Sequence, residues 1–180
     1  MRLFLAIELP KKIKTALELQ LTDIKREYPG FNWVSPENFH CTVHFFGERN
    51  DLEKIKQKVK DLIWDKEKFY IYSKNIDVIA NDKLLVFLTF FREKRLEDLA
   101  QTIKDYFGNG NLTDRKFLPH LTLARGKRSS KQQYFVLKKR LEKISVDVSF
   151  KVTEIVLFES ILEGKKPLYK KLASFELPEA

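Results

Sequence analysis

A repeated order of elements constrains this chain more than any other feature of its 180 residues. Arg2 to Leu9 is dominated by Leu, Phe, Ala and Ile and reads as a strand, closed by Pro10, which cannot donate to a ladder. Ile13, Leu17, Leu21 and Ile24 then share one face of a helix from Pro10 to about Tyr28, which Pro29-Gly30 stops. A loop around residues 33–38 leads into a strand from Phe39 to Phe46. After Gly47 comes a helix with Leu52, Ile55, Val59, Leu62 and Ile63 on one side and lysines on the other. Two strand-like stretches, Lys68 to Ile79 and Leu84 to Phe91, are joined by the turn Asn81-Asp82-Lys83.

The stretch from Leu84 opens the same order again. A helix carries Leu96, Leu99, Ala100, Ile103 and Phe107 on one face and stops at Gly108-Asn109-Gly110. A strand at His120 to Arg125, a basic helix from about Ser130 to Leu141, and strands near Ser145 to Lys151 and Thr153 to Glu159 follow. The tail from Tyr169 to Leu177 is expected to return as a final strand. Strand, helix, histidine-bearing strand, helix, strand thus occurs twice, which points to an internal duplication building two similar lobes. The expected fold class is α+β, with two pseudo-symmetric lobes, each a mainly antiparallel sheet with flanking helices, and a cleft between them. No Gly/Ser linker divides the halves, so residues 1–180 are expected to form one bilobal domain.

The two histidine strands carry the same short pattern. In Phe39-His40-Cys41-Thr42-Val43 and Pro119-His120-Leu121-Thr122-Leu123 a threonine follows the histidine by two residues, and the copies lie 80 positions apart. Side chains alternate across a sheet, so each His and its Thr face one way while Cys41, Val43, Leu121 and Leu123 face the packed side. A lone His-x-Thr in a strand is usually structural. Here two of only three histidines have the threonine, among eight threonines, and both copies fall at equivalent places in the repeat. An imidazole with an unperturbed pKa of ~6.5 gives or takes a proton at neutral pH, and a hydroxyl beside it donates to an oxyanion. Two such units across a cleft supply a base, an acid and two donors for one phosphate.

In these residues the sequence resembles the two-histidine phosphoesterase superfamily, and within it the RNA 2',3'-cyclic phosphodiesterases, also called bacterial and archaeal 2'-5' RNA ligases. The likeness extends to Arg2-Leu3-Phe4-Leu5-Ala6-Ile7-Glu8-Leu9-Pro10, Trp33-Val34-Ser35-Pro36-Glu37-Asn38, Phe46-Gly47-Glu48, Ala124-Arg125, Phe158-Glu159-Ser160 and Pro167-Leu168-Tyr169. The resemblance implies an enzyme that opens a terminal 2',3'-cyclic phosphate on RNA to leave a 2'-phosphate, with reversible 2'-5' ligation as its other direction. It would make His40 the proton donor to the departing 3'-oxygen and His120 the acceptor of the proton from water. Thr42 and Thr122 match its phosphate-binding hydroxyls, and Arg125 matches a basic residue after the second motif. Cys41 departs from the family's usual aliphatic residue.

Composition narrows the alternatives. A net charge of +9, from 34 basic and 25 acidic residues, favours an anionic partner. The resemblance makes RNA with 2',3'-cyclic phosphate ends, tRNA fragments among them, the expected substrate, bound by a monomer. One cysteine, an N-terminal apolar run too short for a signal peptide, and no apolar run near the ~18 residues of a membrane helix suggest a cytoplasmic, soluble protein. Three histidines and one cysteine offer no zinc spacing, and no Gly-rich phosphate loop is present, so no metal and no cofactor are expected.

His44 shares the face of His40 and Thr42 in a regular strand and is expected either near the cleft or at the sheet edge. Arg125, an odd number of residues from His120, reaches a phosphate only where the strand ends or bulges. Arg125-Gly126-Lys127-Arg128, with Lys131, Lys138, Lys139 and Arg140 after it, reads either as a guide for the RNA backbone or as a solvated face. Trp33 is expected in the core rather than stacked on a base. Two other functions fit less of the pattern: a non-catalytic RNA-binding module, and a phosphodiesterase acting on small cyclic nucleotides.

Overall fold

The computed structural model describes residues 1–108, 117–163 and 166–179. Among these residues nine strands and five helices follow one another as β1 (Arg2–Glu8), α1 (Lys11–Gln20), α2 (Thr22–Glu27), β2 (Asn32–Trp33), β3 (His40–Glu48), α3 (Leu52–Ile63), β4 (Phe69–Ala80), β5 (Leu84–Phe90), α4 (Lys94–Phe107), β6 (His120–Gly126), α5 (Lys131–Leu141), β7 (Ser149–Val152), β8 (Glu154–Glu163) and β9 (Lys166–Glu176). They build two antiparallel sheets, ordered β3-β1-β8-β9 and β2-β6-β5-β4-β7. The duplication is visible in this order, since β3-β1-β8 and β6-β5-β4 are the same arrangement of equivalent strands.

The lobes are not the two halves of the chain. β4 ends the first repeat but pairs with β5, and β8 ends the second repeat but pairs with β1. Each repeat thus lends its last strand to the other's sheet. The short β2 also crosses over, pairing with β6.

β1 lies inside its sheet and is apolar on both faces, as a strand covered on both sides must be. Leu3, Leu5 and Ile7 enter the main core with Leu17, Ile55, Val59 and Leu157, while Phe4 and Ala6 form a second cluster with Val156, Phe158 and Tyr169 on the opposite face. Full burial of a Leu, Ile or Phe is worth about 2 kcal/mol, so the core-facing stripes hold the helices against the sheets. Ile55, Val59 and Ile63 do so for α3, and Leu96, Leu99, Ala100 and Ile103 for α4.

Several boundaries differ from expectation. The helix expected over Pro10 to Tyr28 is broken at Leu21 into α1 and α2. The strand expected from Ser145 starts only at Ser149; ahead of it the Ser73 side chain bridges the segment, its Oγ donating to Val146 O and accepting from Val148 N, both at 2.8 Å, beside a main-chain bond from Ser73 N to Val148 O at 2.7 Å. Asn109 and Gly110 of the expected helix stop lie outside the described residues; Gly108 caps α4 with φ of 81°, a left-handed value that glycine adopts freely. The capping box of α5, Ser130 with Gln133, starts that helix where its sequence indicates.

Candidate active site

β3 and β6 run along the junction of the two sheets, and their first seven residues have the same sequence of environments: half-buried, buried, half-buried, buried, buried, exposed, buried. His40 and Thr42, and equally His120 and Thr122, take the half-buried places, and Cys41 and Leu121 point inward. The Cys41 side chain is fully buried against the main chain of His120, and burial pushes its thiol up to about 12, so it is not a nucleophile.

Each imidazole is held in the same way. Nδ1 of His40 lies 2.7 Å from the carbonyl oxygen of Asn38, and Nδ1 of His120 lies 2.9 Å from that of Leu118, in each case two residues upstream. A carbonyl only accepts, so each Nδ1 carries the hydrogen and each Nε2 lone pair is left for chemistry. Asn38 is itself fixed by its amide, which donates to Pro167 O at 3.1 Å.

A matched irregularity decides what else reaches this face. In the β1–β3 pairing Leu5 faces His44 and Ala6 faces Thr42, so Val43 is an extra residue; in the β5–β6 pairing Val86 faces Ala124 and Phe87 faces Thr122, so Leu123 is the extra one. These bulges fall at equivalent positions of the repeat and reverse the alternation beyond them. Arg125 is thereby turned onto the face of His120 and Thr122, where its charge is felt by both His40 and Tyr169. His44 is turned the other way. Instead of sharing the face of His40, it is 3 % exposed and packed on Phe46 and Phe107, with ring centroids 4.8 and 6.2 Å apart. Trp33 packs on the core, its indole donating to Tyr28 O at 3.0 Å.

The surroundings of His40 include groups with no role assigned from sequence, most of them in segments that carry the family likeness. Phe4 and Tyr169 lie 5.1 Å from its ring, Tyr169 edge-on, and Phe158 lies at 6.5 Å. A pocket of about 300 Å³ opens beside it, lined among others by Glu8, Asn38, Phe158, Tyr169 and Lys171. Glu8, in register with His40 across β1–β3, accepts from Lys14 at 2.8 Å and pairs with Lys171 at 3.1 Å. Burial works to raise the Glu8 carboxyl, but the two ammonium groups hold it below the usual range. Lys14 also donates to Glu37 O at 2.9 Å, tying α1 to the turn that carries Asn38. Burial pushes the His40 imidazole down to about 4 against the Asn38 bond, and the charges of His120, Lys14 and Arg125 add to the effect. Among the described residues no group of three or more His, Cys, Asp and Glu is arranged to hold a metal ion, and no helix is long and apolar enough to cross a membrane.

Two antiparallel sheets from a duplicated unit, each bringing one histidine and one threonine to the junction, define a two-histidine α+β protein. The comparisons with known proteins agree: residues 13–161 match the 2'-5' RNA ligase superfamily, and the chain belongs to that family. It is 30 % identical to the RNA 2',3'-cyclic phosphodiesterase of Methanocaldococcus jannaschii, over 94 % of this chain and 97 % of the relative. It is 27 % identical to the protein of the same name from Methanothermobacter thermautotrophicus, over 98 % of each. A crystal structure of a Thermus thermophilus protein superposes with a TM-score of 0.77 at 25 % identity, covering 99 % of both chains.

Proposed function

We propose that this protein hydrolyses 2',3'-cyclic phosphate ends of RNA to 2'-phosphomonoesters, with His40 as general acid and His120 as general base. The observation that carries the reading is the matched anchoring of the two imidazoles, each with Nδ1 on a carbonyl and a threonine hydroxyl two residues on, at equivalent places of two abutting sheets. Relatives named for this activity match almost the whole chain and support the choice of substrate.

In the proposed step a water oxygen attacks phosphorus while His120 Nε2 takes its proton. The P–O3' bond breaks opposite the attacking oxygen, and protonated His40 delivers a proton to O3', leaving a 3'-hydroxyl and a 2'-phosphate. The Thr42 and Thr122 hydroxyls and the Arg125 guanidinium would bind the non-bridging oxygens as they gain charge, each contributing ~2 to 4 kcal/mol to the transition state. With an imidazole pushed down to about 4, His40 is neutral at pH 7 in the free protein. An anionic phosphate against it favours the charged form, so in this reading the substrate itself loads the acid with its proton. The two imidazoles supply both proton transfers without a metal, and with the 5'-hydroxyl of a second RNA in place of water the same attack on the cyclic phosphate, again breaking P–O3' and protonating O3', would form a 2'-5' linkage. The reading places a monomer in the cytoplasm, with tRNA fragments among its substrates.

The test is product analysis on an oligonucleotide ending in a 2',3'-cyclic phosphate, with and without EDTA. A 2'-phosphate product, undiminished by the chelator, and a loss of about 10²- to 10⁴-fold in rate for His40→Ala or His120→Ala are expected. Undiminished turnover in the double variant would sink the assignment.

A further inference from the structure

The basic run after β6 is divided by the fold. Arg140 is paired with Glu27, and Lys138 stands 3.9 Å from Asp77, so these cations are tied to the protein's own carboxylates. Lys127 and Arg128 pair with no carboxylate among the described residues, and they stand on the rim of a pocket of about 560 Å³. Its walls come from the end of α2 and the turn after it, from the β6–α5 turn and from α5. Tyr28, Phe31 and Val136 are apolar wall, and Gln132 is a polar group with both donors and an acceptor. The buried Ser129 hydroxyl also lines it and has no hydrogen-bond partner among the described residues.

This pocket continues the candidate active site along the chain. Phe31 directly precedes Asn32, which pairs with Arg125, and the Phe31 ring lies so close to Gly126 that a Cβ there would stand 2.9 Å from it. β6 therefore leads from His120, past Arg125, to the rim at Lys127. The seven steps from His120 to Lys127 cover six ladder positions because Leu123 is bulged, and at ~3.3 Å each they place the rim about 20 Å from the reacting centre, which a stacked single strand advancing ~3.4 Å per nucleotide covers in about six nucleotides.

We propose that this pocket is a second RNA subsite, in which aromatic and apolar walls take a base and Lys127 and Arg128 take the adjoining phosphates of a strand whose cyclic end lies at His40 and His120. The inference deepens the function proposed above and rests on it for the choice of ligand. A base has an apolar face for Tyr28, Phe31 and Val136 and a polar edge for Gln132, while two cations with no carboxylate partner among the described residues suit a polyanion. A mononucleotide held at the histidines would not extend to this pocket, so the subsite confers a preference for oligonucleotides.

The experiment measures binding and turnover separately on the intact chain. Binding of a hexanucleotide with a terminal 3'-phosphate, which the proposed chemistry leaves intact, is followed by fluorescence anisotropy as salt is varied. Turnover is compared on a cyclic-phosphate-ended hexanucleotide and on a 2',3'-cyclic mononucleotide. For the double variant Lys127→Glu, Arg128→Glu the expected result is about tenfold weaker hexanucleotide binding and a salt slope shallower by about 1.4, with mononucleotide turnover unchanged. Val136→Trp, which fills the pocket without altering charge, is expected to weaken binding with the slope intact. Unchanged hexanucleotide affinity in both variants overturns the proposal, as does an equal loss of turnover on the two substrates, which would locate the effect at the histidines. Wild-type binding that follows this pattern without any turnover would remove the catalytic reading instead and leave the subsite standing.

Discussion

His44 and Arg125, the fourth residue after one motif histidine and the fifth after the other, show how one inserted residue assigns a side chain to the core or to the open face. Arg125 reaches the face of His120 only because Leu123 is bulged, so its contribution depends on that placement. Arg125→Ala is expected to lower kcat/KM on a cyclic-phosphate-ended RNA by about 10²-fold, and Arg125→Lys to restore part of it, since an ammonium keeps the charge but not the fork of donors. Steady-state kinetics on the three proteins checks this; an Ala variant as active as wild type would remove Arg125 from the site. His44 makes the opposite case. Burial pushes its imidazole down to about 4, and its Nε2 has no partner among the described residues. An unfolded histidine titrates near 6.5, so below that pH the unfolded chain binds the additional proton, and stability is lost as pH falls from about 6.5 towards 4. At pH 5 this amounts to about 2 kcal/mol. His44→Leu is therefore expected to raise the melting temperature more at pH 5 than at pH 7.5 and to leave turnover intact, which thermal denaturation at the two pH values tests.

At the scale of elements, the strands around the site are held by contacts that no periodicity announces. α1 anchors the His40 turn through a single ammonium: Lys14 bonds Glu8 of β1 and the Glu37 carbonyl, one residue before the carbonyl that fixes His40. Lys14→Met removes both bonds and one positive charge facing the imidazole, leaving His120 and Arg125 on β6, Glu8 on β1, Glu37 in the turn, and Tyr169 and Lys171 on β9. The His40 pKa in the free protein is expected to rise from about 4, and proton-detected NMR titration of the ring measures it. A titration identical to wild type would show that Lys14 exerts no influence on the imidazole. The two helix stripes in α3 and α4, and the capping box of α5, are by contrast fully legible in sequence, because each depends on residues three or four apart. The break at Leu21 is not, since Ile13, Leu17, Leu21 and Ile24 keep helical spacing across it.

The whole molecule is an exchange of strands between two copies of one unit. β8 stands between β1 and β9, and β4 between β5 and β7, so neither half of the chain contains a complete sheet. A fragment covering residues 1–80 would expose β4 without β5 and β1 without β8, losing apolar burial on both sides of a central strand. Expressed alone, residues 1–80 and 81–180 are each expected to lack a cooperative unfolding transition by circular dichroism, while the intact chain shows one. A cooperative melt from either fragment would contradict the exchanged topology. The same exchange brings β3 and β6 together at the junction of the sheets, and with them the only two His-x-Thr segments of the chain.

From the amino-acid sequence alone came the repeated order of elements, the outward face shared by His40 with Thr42 and by His120 with Thr122, and the inward turn of Cys41. All of these follow from the local periods of strand and helix, which a single segment carries within itself. Tertiary structure decided which sheet each repeat's last strand joins, where Val43 and Leu123 interrupt the alternation, and that Glu8, Lys14, Asn38, Tyr169 and Lys171 gather around His40. Hydrogen-bond register between strands distant in sequence sets these features, and register is a property of the pair rather than of either strand.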